Sequence, residues 1–139
     1  MTTTTQSGIF SLKLYKEEKV KVLIVDDEDA VRMLLSRFLE SLDYKVDTAC
    51  DGWEASTYLS TNSYDLLITD YIHPGMDGAA LARYAKHEID LPPPRVIILT
   101  GYPESEILCE TGAEACLPKP INLSKLKEVI EEVLSGVKG

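Results

Sequence analysis

A chain of 139 residues, 45% hydrophobic and 27% charged, fits one domain that buries a core without disulfide or metal staples. Its formal net charge of −9 argues against the basic face of a nucleic-acid binder. The cysteines Cys50, Cys109 and Cys116 are odd in number and lack metal-ligand spacing, so they read as free thiols in a reducing compartment.

Residues 1–18 stand apart from the rest. The Thr-rich start has little to bury, and it lacks the charged and apolar regions of a signal peptide. Ile9 to Tyr15 is apolar enough to dock as an added strand or arm, or else belongs to a flexible leader. No apolar run approaches the roughly 18 residues a membrane helix needs. A cytoplasmic protein with no membrane insertion is the expectation.

From Lys19 the pattern is regular. Val20 to Val25 is a β-branched run ending at Asp26-Asp27, as in a buried strand with a polar C-terminal end. Asp29 opens an amphipathic helix with Val31, Leu34, Leu35, Phe38 and Leu42 at helical spacing. A short strand follows at Tyr44 to Ala49. Asp51-Gly52 punctuates, and a second helix carries Ala55, Tyr58 and Leu59. Tyr64 to Thr69 is a third strand ending on Asp70. After the His73-Pro74-Gly75 loop, a third helix is predicted from Met76 to about His87.

Leu91-Pro92-Pro93-Pro94 is an extended connector, because proline suits neither a helix interior nor a central ladder. Arg95 to Leu99 is a fourth strand ending on Thr100-Gly101. A short helix is predicted near Pro103 to Glu110, then a fifth strand from Glu114 to Leu117 that ends at Lys119-Pro120. The last helix starts near Asn122, carries Leu126, Val129, Ile130, Val133 and Leu134, and stops at Gly136. Five strands alternating with five helices imply an α/β, doubly wound, five-stranded parallel sheet with helices on both faces.

The residues at the C-terminal strand ends carry the chemistry: Asp26 and Asp27, Asp70, Thr100 and Lys119. In open α/β sheets ligands bind outside those ends at the switch point, which for strand order 2-1-3-4-5 lies between strands one and three. Three aspartates meeting there would repel and need positive charge among them. Oxygen ligands with open positions suit Mg²⁺, and Lys119 brings a second cation. An ionised aspartate beside such groups is equipped for in-line phosphoryl transfer. Singly, each residue has a plainer reading: Asp-Asp as a helix cap, Thr as a turn former, Lys-Pro as a solvated loop.

Together they resemble the response-regulator receiver family of two-component signalling, with its flavodoxin-like, chemotaxis-regulator-like fold. The resemblance rests on Asp26-Asp27, Asp70 followed by Pro74, Met76 and Gly78, then Thr100 and Lys119-Pro120, over residues 19–136. It implies that Asp70 accepts the phosphoryl group from a sensor histidine kinase or phosphotransfer protein, and that a downstream protein reads the result. Asp27 would bind Mg²⁺ directly, Asp26 mainly through a water, and Ile72 through its backbone carbonyl. Thr100 and Lys119 would engage the phosphoryl group, and the Lys119–Pro120 bond would be cis. The family's dephosphorylation-controlling positions fall on Ile72 and Tyr102. Such a domain catalyses only its own phosphorylation and dephosphorylation.

Three features depart from the family. Cys116 stands where many members carry an aromatic switch residue. Thr100 and Lys119 are only 19 residues apart, about one helical turn fewer than usual, so the fourth helix or its loops must be shorter. The sequence shows no output domain after the last helix, only a short tail at residues 137–139, so it reads either as a stand-alone regulator acting through protein contacts or as one domain of a longer protein. His73 resembles nothing the chemistry needs, and Trp53 reads as packing. Two other classes fit less well. A Mg²⁺-dependent phosphohydrolase would carry its Asp nucleophile on the first strand, and a phosphorylation-independent interaction module would not need the acid pocket.

Overall fold

The computed structural model describes residues 19–72, 76–101 and 111–136. The leader, the His73-Pro74-Gly75 loop, Tyr102, the short helix expected near Pro103 to Glu110, Cys109 and the tail lie outside the described residues.

Val22 to Val25 send alternate side chains to opposite sides of β1 (Lys21–Val25), and all four are buried. A strand buried on both faces belongs in the middle of a sheet covered on both sides. The other strands are β2 (Lys45–Ala49), β3 (Leu66–Asp70), β4 (Arg95–Thr100) and β5 (Ala115–Pro118). All pairings are parallel, in the order β2-β1-β3-β4-β5. β1 and β3 are in register, Val22 beside Leu66 and Val25 beside Thr69, so their C-terminal ends emerge together. The expected sheet and its switch point are present.

The helices that lie wholly among the described residues are α1 (Asp29–Ser41), α2 (Gly52–Thr61), α3 (Gly78–His87) and α4 (Leu123–Ser135). Leu35 and Leu39 of α1 and Leu126, Val129, Ile130 and Val133 of α4 meet Val22, Ile24, Ile68 and Leu99 on one face of the sheet. Ala55 and Leu59 of α2 and Leu81, Ala82 and Ala85 of α3 meet Leu23, Val25, Leu67 and Ile98 on the other. Fully burying one such Leu or Ile contributes about 1.5–3 kcal/mol.

Caps set the helix ends. Asp51, Asp77 and Asn122 each accept a hydrogen bond from the backbone N–H three residues on, at Glu54, Ala80 and Lys125. Gly136 closes α4 in the left-handed region, φ 81°, as the sequence implies.

Two expectations need correction. α3 begins at Gly78 rather than Met76, because Asp77 caps it while Met76 packs against the second core. In α1, Leu34 is 49% exposed and Leu39 takes its place in the core, so the buried stripe is rotated from the one predicted. Trp53 is 61% exposed on α2 and packs into neither core. No helix among the described residues is long and apolar enough to cross a membrane.

Candidate functional site

At the switch point the first strand passes directly into Asp26, whose backbone N–H donates to Ala49 of β2. Its carboxylate, only 1% exposed, accepts from the Glu28 backbone N–H at 2.9 Å. The plain helix-cap reading of this pair does not hold: Glu28 occupies the cap position of α1 without a side-chain cap bond. Asp27 is exposed beside Asp26. Asp70 ends β3 and is buried. One carboxylate oxygen from each of the three aspartates lies within 4.8 Å of the others.

Lys119 arrives from beyond β5. Its backbone N–H donates to the Thr100 carbonyl at 2.9 Å, which continues the β4–β5 pairing past the strand end. The Lys119–Pro120 peptide is cis. The Lys119 Nζ lies 3.0 Å from Asp70 Oδ1 and 3.4 Å from Asp26 Oδ2. Burial pulls this ammonium towards neutrality, but the hydrogen bond to Asp70 and the charges of Asp26 and Asp70 outweigh it and hold its pKa above the usual value. For Asp26 burial dominates and pushes the carboxyl up, with Asp70 adding repulsion. The Glu28 N–H and Lys119 pull the other way without cancelling it.

A cleft of about 320 Å³ opens over these groups, lined by Asp27, Glu28, Asp70, Ile72, Thr100, Gly101 and Lys119. All six candidate residues, Asp26, Asp27, Asp70, Ile72, Thr100 and Lys119, therefore sit at or directly beneath it. Three convergent carboxylates form a hard oxygen donor set, which fits Mg²⁺.

Two glycines let the backbone close in around the site. A Cβ on Gly78 would stand 2.4 Å from the Asp70 carbonyl oxygen, and the Gly78 N–H donates to the Tyr71 carbonyl at 2.8 Å. A Cβ on Gly52 would stand 2.0 Å from the Met76 carbonyl oxygen. The start of α2 is thereby pressed against the loop that leaves Asp70.

Arg32 joins the site only through the fold. Its guanidinium donates to the Asp26 carbonyl at 2.6 Å and pairs with the Asp29 carboxylate. The available signal was an acidic residue three positions before an arginine on the first helical turns. Cys116 is half-buried and packs against the core on the α2–α3 face, while Cys50 is exposed.

A parallel sheet in this order with an acid cluster and a lysine at its switch point defines a chemotaxis-regulator-like α/β domain. The chain belongs to the response regulator receiver family: residues 22–131 match the response regulator receiver domain. It is 33% identical over 125 residues to a probable chemotaxis protein CheY of Rhizobium etli, covering 87% of this chain and 97% of that protein. It is 38% identical over 117 residues to the sensor protein EvgS of Escherichia coli, covering 84% of this chain and 10% of that one. A CheY-like receiver domain protein from Methanospirillum hungatei superposes with a TM-score of 0.78 at 30% identity, over 86% of this chain and 96% of that chain. The chain thus spans nearly all of the chemotaxis relative, about half of a probable transcriptional regulator from Cyanidium caldarium and a tenth of the sensor protein. It is a receiver domain of two-component signalling.

Proposed function

We propose that Asp70 accepts a phosphoryl group from a sensor histidine kinase or phosphotransfer protein, and that the domain signals through the conformational change that follows. The observation that carries this reading is the Asp70 carboxylate, 3.0 Å from Lys119 Nζ, beside Asp26 and Asp27 in an open cleft.

The Asp70 carboxylate oxygen attacks phosphorus as the donor's P–N bond breaks, and the donor histidine, protonated on its other ring nitrogen, leaves as neutral imidazole. Asp26, Asp27 and Asp70 would hold Mg²⁺, with the Ile72 backbone carbonyl as a further ligand. When bound, that ion supplies positive charge against the transferring oxygens. Lys119 transfers its contact from the carboxylate to a phosphoryl oxygen, and Thr100 hydrogen-bonds another. Because Cys116 is too small to swing like an aromatic ring, the change at Thr100 passes on by another route. A kinase donor implies action in the cytoplasm, and the downstream partner is a protein.

The test is mass spectrometry after incubation with Mg²⁺ and a small-molecule phosphodonor. Wild type should gain one phosphoryl mass, and Asp70→Asn or EDTA-treated protein none. Labelling that survives either change contradicts the reading.

A further inference from the structure

Asp27 is the awkward member of the acid cluster. Asp26 is held by Glu28 and Lys119, and Asp70 by Lys119. Among the described residues the exposed Asp27 carboxylate has no hydrogen-bond or ion-pair partner, so only its backbone can aim it. That backbone is shared with Asp26: the Asp26 C=O and the Asp27 N–H belong to one rigid peptide plane.

Arg32 grips that plane. Its side chain is 18% exposed and points back along α1, the direction a helical side chain takes, to reach the Asp26 carbonyl at 2.6 Å. The fork is fixed at its other end by Asp29, and its own backbone N–H donates to the Glu28 carbonyl at 3.1 Å. The planar guanidinium holds two partners at set angles, which a lysine cannot do. In the preceding peptide the Asp26 N–H is held by the Ala49 carbonyl at 3.2 Å, so the chain is fixed on either side of the Asp26 Cα. The two-residue loop is clamped from both sides.

We infer that Arg32 is a positioning residue for the metal site, acting through the Asp26–Asp27 peptide to aim the Asp27 carboxylate. The inference rests on the Mg²⁺ reading of the acid cluster. It differs in sign from a purely electrostatic role. A cation close to three carboxylates repels a second cation, so removing it would tighten Mg²⁺ binding on charge alone. Losing the clamp weakens it.

The experiment is calorimetric titration of the full chain with Mg²⁺, without phosphodonor, together with the thermal midpoint of each apo protein. Arg32→Met should bind Mg²⁺ about 10-fold more weakly, the lower end of the usual effect of losing an outer-shell partner. Arg32→Lys, which keeps the charge but not the fork, should fall between that variant and wild type. If Arg32→Met does not fold, Arg32→Lys decides on the same terms. Unchanged or tighter Mg²⁺ binding in the folded variants overturns the inference, even with a lowered thermal midpoint, since that pattern belongs to a merely structural arginine. Wild type that binds no Mg²⁺, or binds it equally well as Asp27→Asn, overturns the metal reading itself.

Discussion

Lys119 and Asp70 meet at 3.0 Å across the width of a strand: Lys119 follows β5, Asp70 ends β3, and β4 runs between them. Lys119 also reaches Asp26 beyond β1, so one ammonium serves two carboxylates from different strands. Replacing it with methionine leaves the three aspartates without that charge. Lys119→Met should lower the stability of the metal-free protein by roughly 1–3 kcal/mol, below the full cost of stranding a fully buried charge because the cleft is open to water. Millimolar Mg²⁺ should restore much of that loss. Denaturant titrations with and without Mg²⁺ check this, and an equal deficit in both would contradict it.

The opposite change is expected at Asp26. Its carboxylate is buried beside two others, and burial outweighs the help of Glu28 and Lys119. Asparagine keeps an oxygen for the Glu28 N–H and removes one charge. Lys119 keeps Asp70 as a partner. Asp26→Asn should therefore raise metal-free stability by about 1 kcal/mol and reduce the gain that Mg²⁺ confers. Chemical denaturation reads both, and a less stable apo variant would show that the acid cluster is not strained.

Far from the cleft, Tyr64 is buried and its hydroxyl donates to Asp47 Oδ2 at 2.7 Å. Burial first, then the Asp47 hydrogen bond and charge, push the phenol well above its ordinary 10.0. A raised folded pKa gives stability that is fully present below the unfolded value and lost as pH climbs past it. Tyr64→Phe should cost about 1–2 kcal/mol at pH 7, and the gap to wild type should narrow above pH 10. Thermal melts from pH 7 to 11 test this, and a constant gap would contradict it.

The lifetime of an aspartyl phosphate depends on which side chains can direct water along the line of attack. Ile72 is 70% exposed and lines the cleft, with no group to orient a water molecule. Ile72→Asn supplies an amide there. Phosphate loss should accelerate by up to about 100-fold, the low end of what positioned proton-transfer groups contribute, since an amide orients water without taking its proton. Following the phosphorylated fraction over time decides it, and equal rates would show that position 72 does not govern the water.

Much of this was legible because the decisive signals are local. β-branched runs ending in acids mark strands buried on both faces, and their order brings Asp26, Asp27 and Asp70 together. The stripe of α1 was misread because the helix has more apolar positions than its face can bury. Whether Leu34 or Leu39 goes inside depends on how the helix settles against the sheet. Arg32 was missed for a related reason. An arginine on the first turns of a helix looks solvated until the fold shows a backbone carbonyl within its reach. Gly52 likewise reads as turn punctuation, and only the packed loop shows that Met76 leaves no room for a Cβ.

The most direct measurement is chemical mapping of the phosphoryl linkage. Protein phosphorylated in Mg²⁺ is reduced with borohydride, which converts an acyl phosphate to an alcohol, and the peptides are sequenced by mass spectrometry. Homoserine at position 70, absent from unphosphorylated and EDTA-treated samples, is the expected result. An unreduced Asp70 with the phosphoryl group on any other residue would contradict the assignment of Asp70 as the acceptor.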